Sequence, residues 1–81
     1  LQHLDLHDNR FTGTLPTEMG QWSALEQLDL YRNYIGGTLP TELGLLSALT
    51  SLRAQSNVFI GTLPTELGQL TNLGEIYIHD N

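Results

Sequence analysis

Shifted by 24 positions, the sequence falls onto itself without a gap. Leu1, Leu25, Leu49 and Leu73 coincide, as do Leu4, Leu28, Leu52 and Ile76, and Asn9, Asn33, Asn57 and Asn81. Gly13, Gly37 and Gly61, then Leu15, Leu39 and Leu63, then Pro16, Pro40 and Pro64 follow in the same register. A strict period of this length marks a solenoid, in which each unit is too small to bury an apolar face alone and does so against its neighbours. The 81 residues hold three full units, 1–24, 25–48 and 49–72, and the first nine residues of a fourth, 73–81. His7-Asp8-Asn9 and His79-Asp80-Asn81 are therefore one position of the repeat seen twice.

Each part of the unit has a physical reason. In "LEQLDLYRN", Leu28 and Leu30 alternate with Gln27, Asp29 and Tyr31, the period-two pattern of a strand with one buried face. Strands of successive units would stack in parallel at about 4.8 Å. The turn that follows carries backbone groups into the coil, where an unpaired N–H or C=O is costly. Asparagine both donates and accepts, so Asn9, Asn33, Asn57 and Asn81 are expected to form a structural ladder. Gly13, Gly37 and Gly61 read as positions needing an unusual backbone angle or a close approach. In "LPTELG", proline suits the first turn of a short helix, the glutamate faces its positive end, and the glycine suits its termination.

Written out, the unit is L-x-x-L-x-L-x-x-N-x-[FI]-x-G-T-L-P-T-E-[LM]-G. This resembles the leucine-rich repeat, in the 24-residue form of plant receptor-like kinase ectodomains and polygalacturonase-inhibiting proteins, whose mark is G-x-[IL]-P after the asparagine. The resemblance covers the whole chain and departs from the pattern at Ala54, where a leucine is expected and the core should be thinner. It implies an α/β solenoid: a right-handed superhelix with a parallel β-sheet on the concave face and short 3-10 or helical turns on the convex face. It also implies a non-catalytic recognition module, extracellular or at the cell surface, whose protein or peptide ligand lies along the concave face.

Composition removes several alternatives. Nine acidic residues against three basic ones give a net charge of −6, which opposes binding to nucleic acid. No apolar run approaches the roughly 20 residues of a membrane span, so a membrane enters only through domains outside this chain. There is no cysteine, hence no disulfide and no thiolate.

The apparent chemistry at the start of the chain also yields to geometry. His3, Asp5 and His7 alternate on one strand, which puts His3 and His7 about 13 Å apart. Zinc bonds of about 2 Å do not join side chains that diverge in this way. No metal and no cofactor are expected. A catalytic triad needs a nucleophile bonded to an oriented base, and the column of His7, Tyr31, Gln55 and His79 supplies no serine. The column of Glu18, Glu42 and Glu66 has a plain cause in the dipoles of the short helices.

What remains is the outward side of the strands. The columns Asp5, Asp29, Arg53, Tyr77, then His7, Tyr31, Gln55, His79, then Asp8, Arg32, Ser56, Asp80 vary from unit to unit while the structural positions repeat. Tyrosine and arginine are favoured at interface hot spots. The candidate ligand-binding residues are accordingly Asp5, His7, Asp8, Asp29, Tyr31, Arg32, Arg53, Gln55, Tyr77 and His79. A structural spacer is the alternative reading. A third is ice binding: the columns Thr14, Thr38, Thr62 and Thr17, Thr41, Thr65 resemble the threonine arrays of some antifreeze proteins, including a plant one of this repeat class.

Four strands present a footprint of only a few hundred Å², against about 800 Å² per partner in a standard interface. The expectation is that the chain is an excerpt of a longer array whose ends are sealed elsewhere.

Overall fold

The computed structural model describes residues 2–81; Leu1, assigned above to the core column, lies outside them. Four parallel strands, β1 (His3–Asp5), β2 (Gln27–Asp29), β3 (Ser51–Arg53) and β4 (Glu75–Tyr77), form one sheet in the order β1-β2-β3-β4. Their register is the repeat itself: Leu4 stands beside Leu28, Leu28 beside Leu52 and Leu52 beside Ile76. The strands are shorter than the alternation suggested, but coil-to-coil bonding continues past them. Leu30 N–H donates to the Arg53 carbonyl at 2.7 Å and Arg32 N–H to the Gln55 carbonyl at 3.1 Å.

Three 3-10 helices, Thr17–Gln21, Thr41–Leu45 and Thr65–Gln69, run along the opposite side. Between sheet and helices lies a core of Met19, Leu25, Leu28, Leu30, Ile35, Leu39, Leu43, Leu46, Leu49, Leu52, Ala54, Phe59 and Leu70. The coil is closed at Ala54 despite its small side chain, which is fully buried. Pro16, Pro40 and Pro64 sit one residue before their helices rather than in the first turn, with the extended ψ of 136–148° that ends the preceding segment.

The helical glycines act differently from the sequence reading. Gly20, Gly44 and Gly68 lie inside the 3-10 helices and terminate nothing. A Cβ on Gly44 would stand 2.7 Å from the Glu66 carbonyl oxygen, and one on Gly20 would stand 3.1 Å from Leu45 Cδ1. Gly20 and Gly44 are bare because successive convex turns touch. Gly13, Gly37 and Gly61 do adopt the left-handed backbone, at φ of 88°, 71° and 79°. A Cβ on Gly37 would also meet the Thr14 methyl at 2.7 Å.

The asparagines lock the turn between sheet and flank. Asn57 Nδ2 donates to the carbonyls of Leu30 in the preceding coil, at 2.9 Å, and of Ala54 in its own, at 3.2 Å, while its Oδ1 accepts the Ile35 N–H at 3.1 Å. Asn33 repeats this with Leu6, Leu30 and Phe11, and Asn81 with Ala54, Ile78 and Phe59. Asn9 holds the carbonyls of Leu6 and His7. A second, narrower run of coil-to-coil bonds follows on the flank, from Tyr34 N–H to the Phe11 carbonyl, and from Val58 N–H to that of Ile35.

Candidate functional site

Parallel in-register stacking turns each variable position into a row across the concave face. Asp5, Asp29, Arg53 and Tyr77 are successive neighbours in one such row. Arg53 is its centre: Nη2 donates to Glu75 Oε2 at 3.3 Å, Nε lies 3.9 Å from Asp29 Oδ1, and the guanidinium carbon is 5.8 Å from the centre of the Tyr77 ring. The hydrogen bond to Glu75, then the charges of Asp29 and Glu75, push the arginine pKa up and hold it charged. A groove of about 430 Å³ opens beside it, lined by Gln27, Ser51, Arg53, Asn72 and Glu75 among others.

The next row holds His7, whose ring stacks on Tyr31 with centroids 4.7 Å apart and planes 12° from parallel. His7 Nδ1 hydrogen-bonds Asp5 Oδ1, and the His7 N–H donates to the same oxygen at 3.2 Å. That contact corrects the expectation that alternate side chains diverge. β1 ends at Asp5, and His7 lies beyond the regular strand, where its ring and backbone N–H meet the carboxylate. The bond raises the His7 pKa above its usual 6.5 and lowers that of Asp5 below its usual 3.8. Arg32 reaches back to Asp8 at 3.4 Å, and His79 Nε2 lies 4.0 Å from Asp80.

Asp29 also departs from the sequence reading. Alternation placed it on the open face, and it does lie there, but only 4% of its surface is exposed. His3 Nε2, at 2.9 Å, and Gln27 Nε2, at 3.1 Å, cover its Oδ2. It shapes the surface more than it offers itself to a partner. Around it, Asp29 Oδ1, Ser51 Oγ, Arg53 Nε and Gln55 Oε1 are buried without a hydrogen-bond partner. Among the described residues, unsatisfied polar side-chain atoms thus gather at the middle of the concave face and not in the core.

Two features escaped the sequence. One is a proximity: suitable donor atoms of His3, Asp5 and Asp29 lie within 4.8 Å of one another. The argument against a metal along a single strand still stands, but the third group comes from the neighbouring coil. Register at a period of 24 was the signal that could have found it. The other is the backbone of the eighth position, where Asp8, Arg32, Ser56 and Asp80 all take φ of 55–59°. An arginine or serine gives no hint of that conformation.

Residues 1–59 match the family model described as leucine rich repeat. The chain belongs to the leucine-rich repeat family. Solved structures place this leucine-rich repeat array among plant-type members. The BIR2 ectodomain from Arabidopsis thaliana superimposes with a TM-score of 0.92 at 36% identity, over 95% of this chain and 41% of that one. The Arabidopsis receptor kinase HAESA, in complex with the peptide hormone IDA and the co-receptor SERK1, matches with a TM-score of 0.90 at 33% identity, over 93% of this chain and 13% of that one. A plant ice-binding protein matches with a TM-score of 0.93 at 28% identity, over 98% of this chain and 26% of that one. The chain thus spans less than half the length of each. A comparison with curated protein sequences gives no match. Among the described residues, no helix is long and apolar enough to cross a membrane.

Proposed function

We propose that the chain is part of an extracellular or cell-surface recognition module that takes a protein or peptide along its concave face. The observation that carries this reading is the contrast between rows. Asparagine, glycine and proline repeat without change and leucine with few exceptions, whereas the row through Asp5, Asp29, Arg53 and Tyr77 carries three residue types of different charge over four coils and leaves polar atoms without partners. A scaffold needs the first kind of row, and a partner would be read by the second.

The reading includes a longer array. Phe11 is 46% exposed, whereas Ile35 and Phe59 at the same position of later units are 5% and 8% exposed. A coil is sealed only by neighbours on both sides, and the longer relatives support further coils here. The test is capture from native extract by the complete parent protein, beside its Tyr31→Ala, Arg53→Ala double variant. Loss of a captured partner in the variant supports the reading. Equal capture by both proteins, or by neither, moves the chain to a structural spacer.

Ice binding has its own observation. Thr14, Thr38 and Thr62 are exposed and recur at the same place in each coil, and the fold is shared with a plant ice-binding protein. The close approach of the Thr14 methyl to Gly37 gives that column a packing role as well. Thermal hysteresis in a solution of the chain would establish this second reading, and its absence would remove it.

A further inference from the structure

We propose that His3, Asp5 and Asp29 bind a divalent transition-metal ion of the zinc class. This does not depend on the recognition reading, although it shares Asp5 and Asp29 with the row on which that reading rests. Its first support is distance. The donor atoms lie within 4.8 Å of one another, while bonds of about 2.0–2.1 Å in a tetrahedron need edges of roughly 3.4 Å. A shift of about an ångström closes that gap, and the His3 side chain, 46% exposed, is free to make it.

The second support is Asp29 itself. It is a carboxylate more than nine-tenths buried, and its Oδ1 has no hydrogen-bond partner. The nearest cation, Arg53 Nε, stands off at 3.9 Å and is tied through Nη2 to Glu75. A buried carboxylate with one oxygen left in this state is costly, and although Oδ1 stands toward Arg53 while Oδ2 meets His3, a cation bound by the same carboxylate would offset part of that cost. His3 would give up its hydrogen bond to Asp29 and offer the Nε2 lone pair.

Outer groups already orient both acids. Gln27 Nε2 donates to Asp29 Oδ2, and the backbone N–H and ring of His7 hold Asp5 Oδ1. Ligating carboxylates are commonly steadied in this way. One nitrogen and two oxygens suit zinc or cobalt better than calcium or magnesium, which prefer all-oxygen shells. Three protein ligands leave a coordination position open. The repeat supplies its own control: one coil further on, the same three positions are Gln27, Asp29 and Arg53, where an arginine replaces a ligand.

The experiment is a titration of the chain with Co2+, followed by visible absorption, and then displacement with Zn2+. One equivalent should bind with tetrahedral-type absorption, and Zn2+ should abolish it. Affinity should fall at least about tenfold in His3→Ala and in Asp5→Asn and stay unchanged in His79→Ala. Circular dichroism establishes that each variant is folded. Failure to saturate at about 1 mM Co2+, undiminished binding in His3→Ala, or an equal loss in His79→Ala would overturn the site. Displacement by equimolar Ca2+ would overturn the class of ion.

Discussion

The bare Cα of Gly44 faces the Glu66 carbonyl so closely that a Cβ there would lie 2.7 Å from the oxygen and 2.8 Å from the Glu66 Cβ. The convex turns of the second and third coils thus touch backbone to backbone. Gly68 holds the same place one coil later, with nothing within 4 Å of its would-be Cβ. Gly44→Ala should cost about 2 kcal/mol or more, since rigid backbone must move. Gly68→Ala, in ordinary helical backbone, should stabilise by roughly 0.5 kcal/mol through the unfolded chain. Urea unfolding of the two variants decides it; equal effects would mean that the glycines are there for local conformation.

Asn57→Ala should be among the most damaging single changes. It strands the Ile35 N–H inside the coil and takes one of two donors from each of the Leu30 and Ala54 carbonyls, which keep Asn33 and Asn81, and an unpaired buried group costs about 1–3 kcal/mol. Asn9 is exposed and bonds only within its own coil, so Asn9→Ala should cost about 1 kcal/mol or less. Denaturant midpoints of both variants provide the comparison.

Arg32→Gly should stabilise the chain. Left-handed backbone costs a residue with a Cβ about 1–2 kcal/mol, and Arg32 has φ of 59°. Against this stand the extra freedom of glycine when unfolded, about 0.5–1 kcal/mol, and an exposed ion pair to Asp8 worth little. A small net gain of about 0.5 kcal/mol is expected. Gln55→Gly, in ordinary backbone, should destabilise. Thermal unfolding of the pair checks the contrast.

The Asp5–His7 pair makes a pH prediction. Raising the folded His7 pKa contributes stability that is present below 6.5 and lost as pH rises through the folded value. Lowering the Asp5 pKa contributes stability that is present above 3.8 and lost as pH falls through its folded value. The pair therefore stabilises in the window between about 4 and 7. In an NMR titration His7 should have its midpoint above 6.5, and Asp5→Asn should return it toward the ordinary value. An unmoved midpoint in the variant would show that Asp5 is not the cause.

Much of this architecture is legible before folding because it is repeated. The buried stripe of Leu28, Leu52 and Ile76 needs only a period and an alternation to be found. The asparagine turn follows from the cost of an unpaired carbonyl, which is the same in every coil. The helical glycines were harder. Termination is a local explanation and Gly44 has a non-local one, visible only when Glu66 is set against it. Asp29 is more buried than alternation suggests for the same reason: alternation gives the face a side chain points to, and His3 and Gln27 decide how much water it sees.

The sequence by itself determined the solenoid, its register and the concave rows, because these depend on hydrophobic periodicity and on backbone groups that must be paired within each unit. Only the tertiary structure decided which atoms in those rows meet. The Asp5–His7 bond, the Arg53 contacts with Glu75 and Tyr77, and the gathering of His3, Asp5 and Asp29 depend on side-chain reach across neighbouring coils. Periodicity sets the spacing of those coils, but the rotamers that bridge them are chosen by local charge and shape.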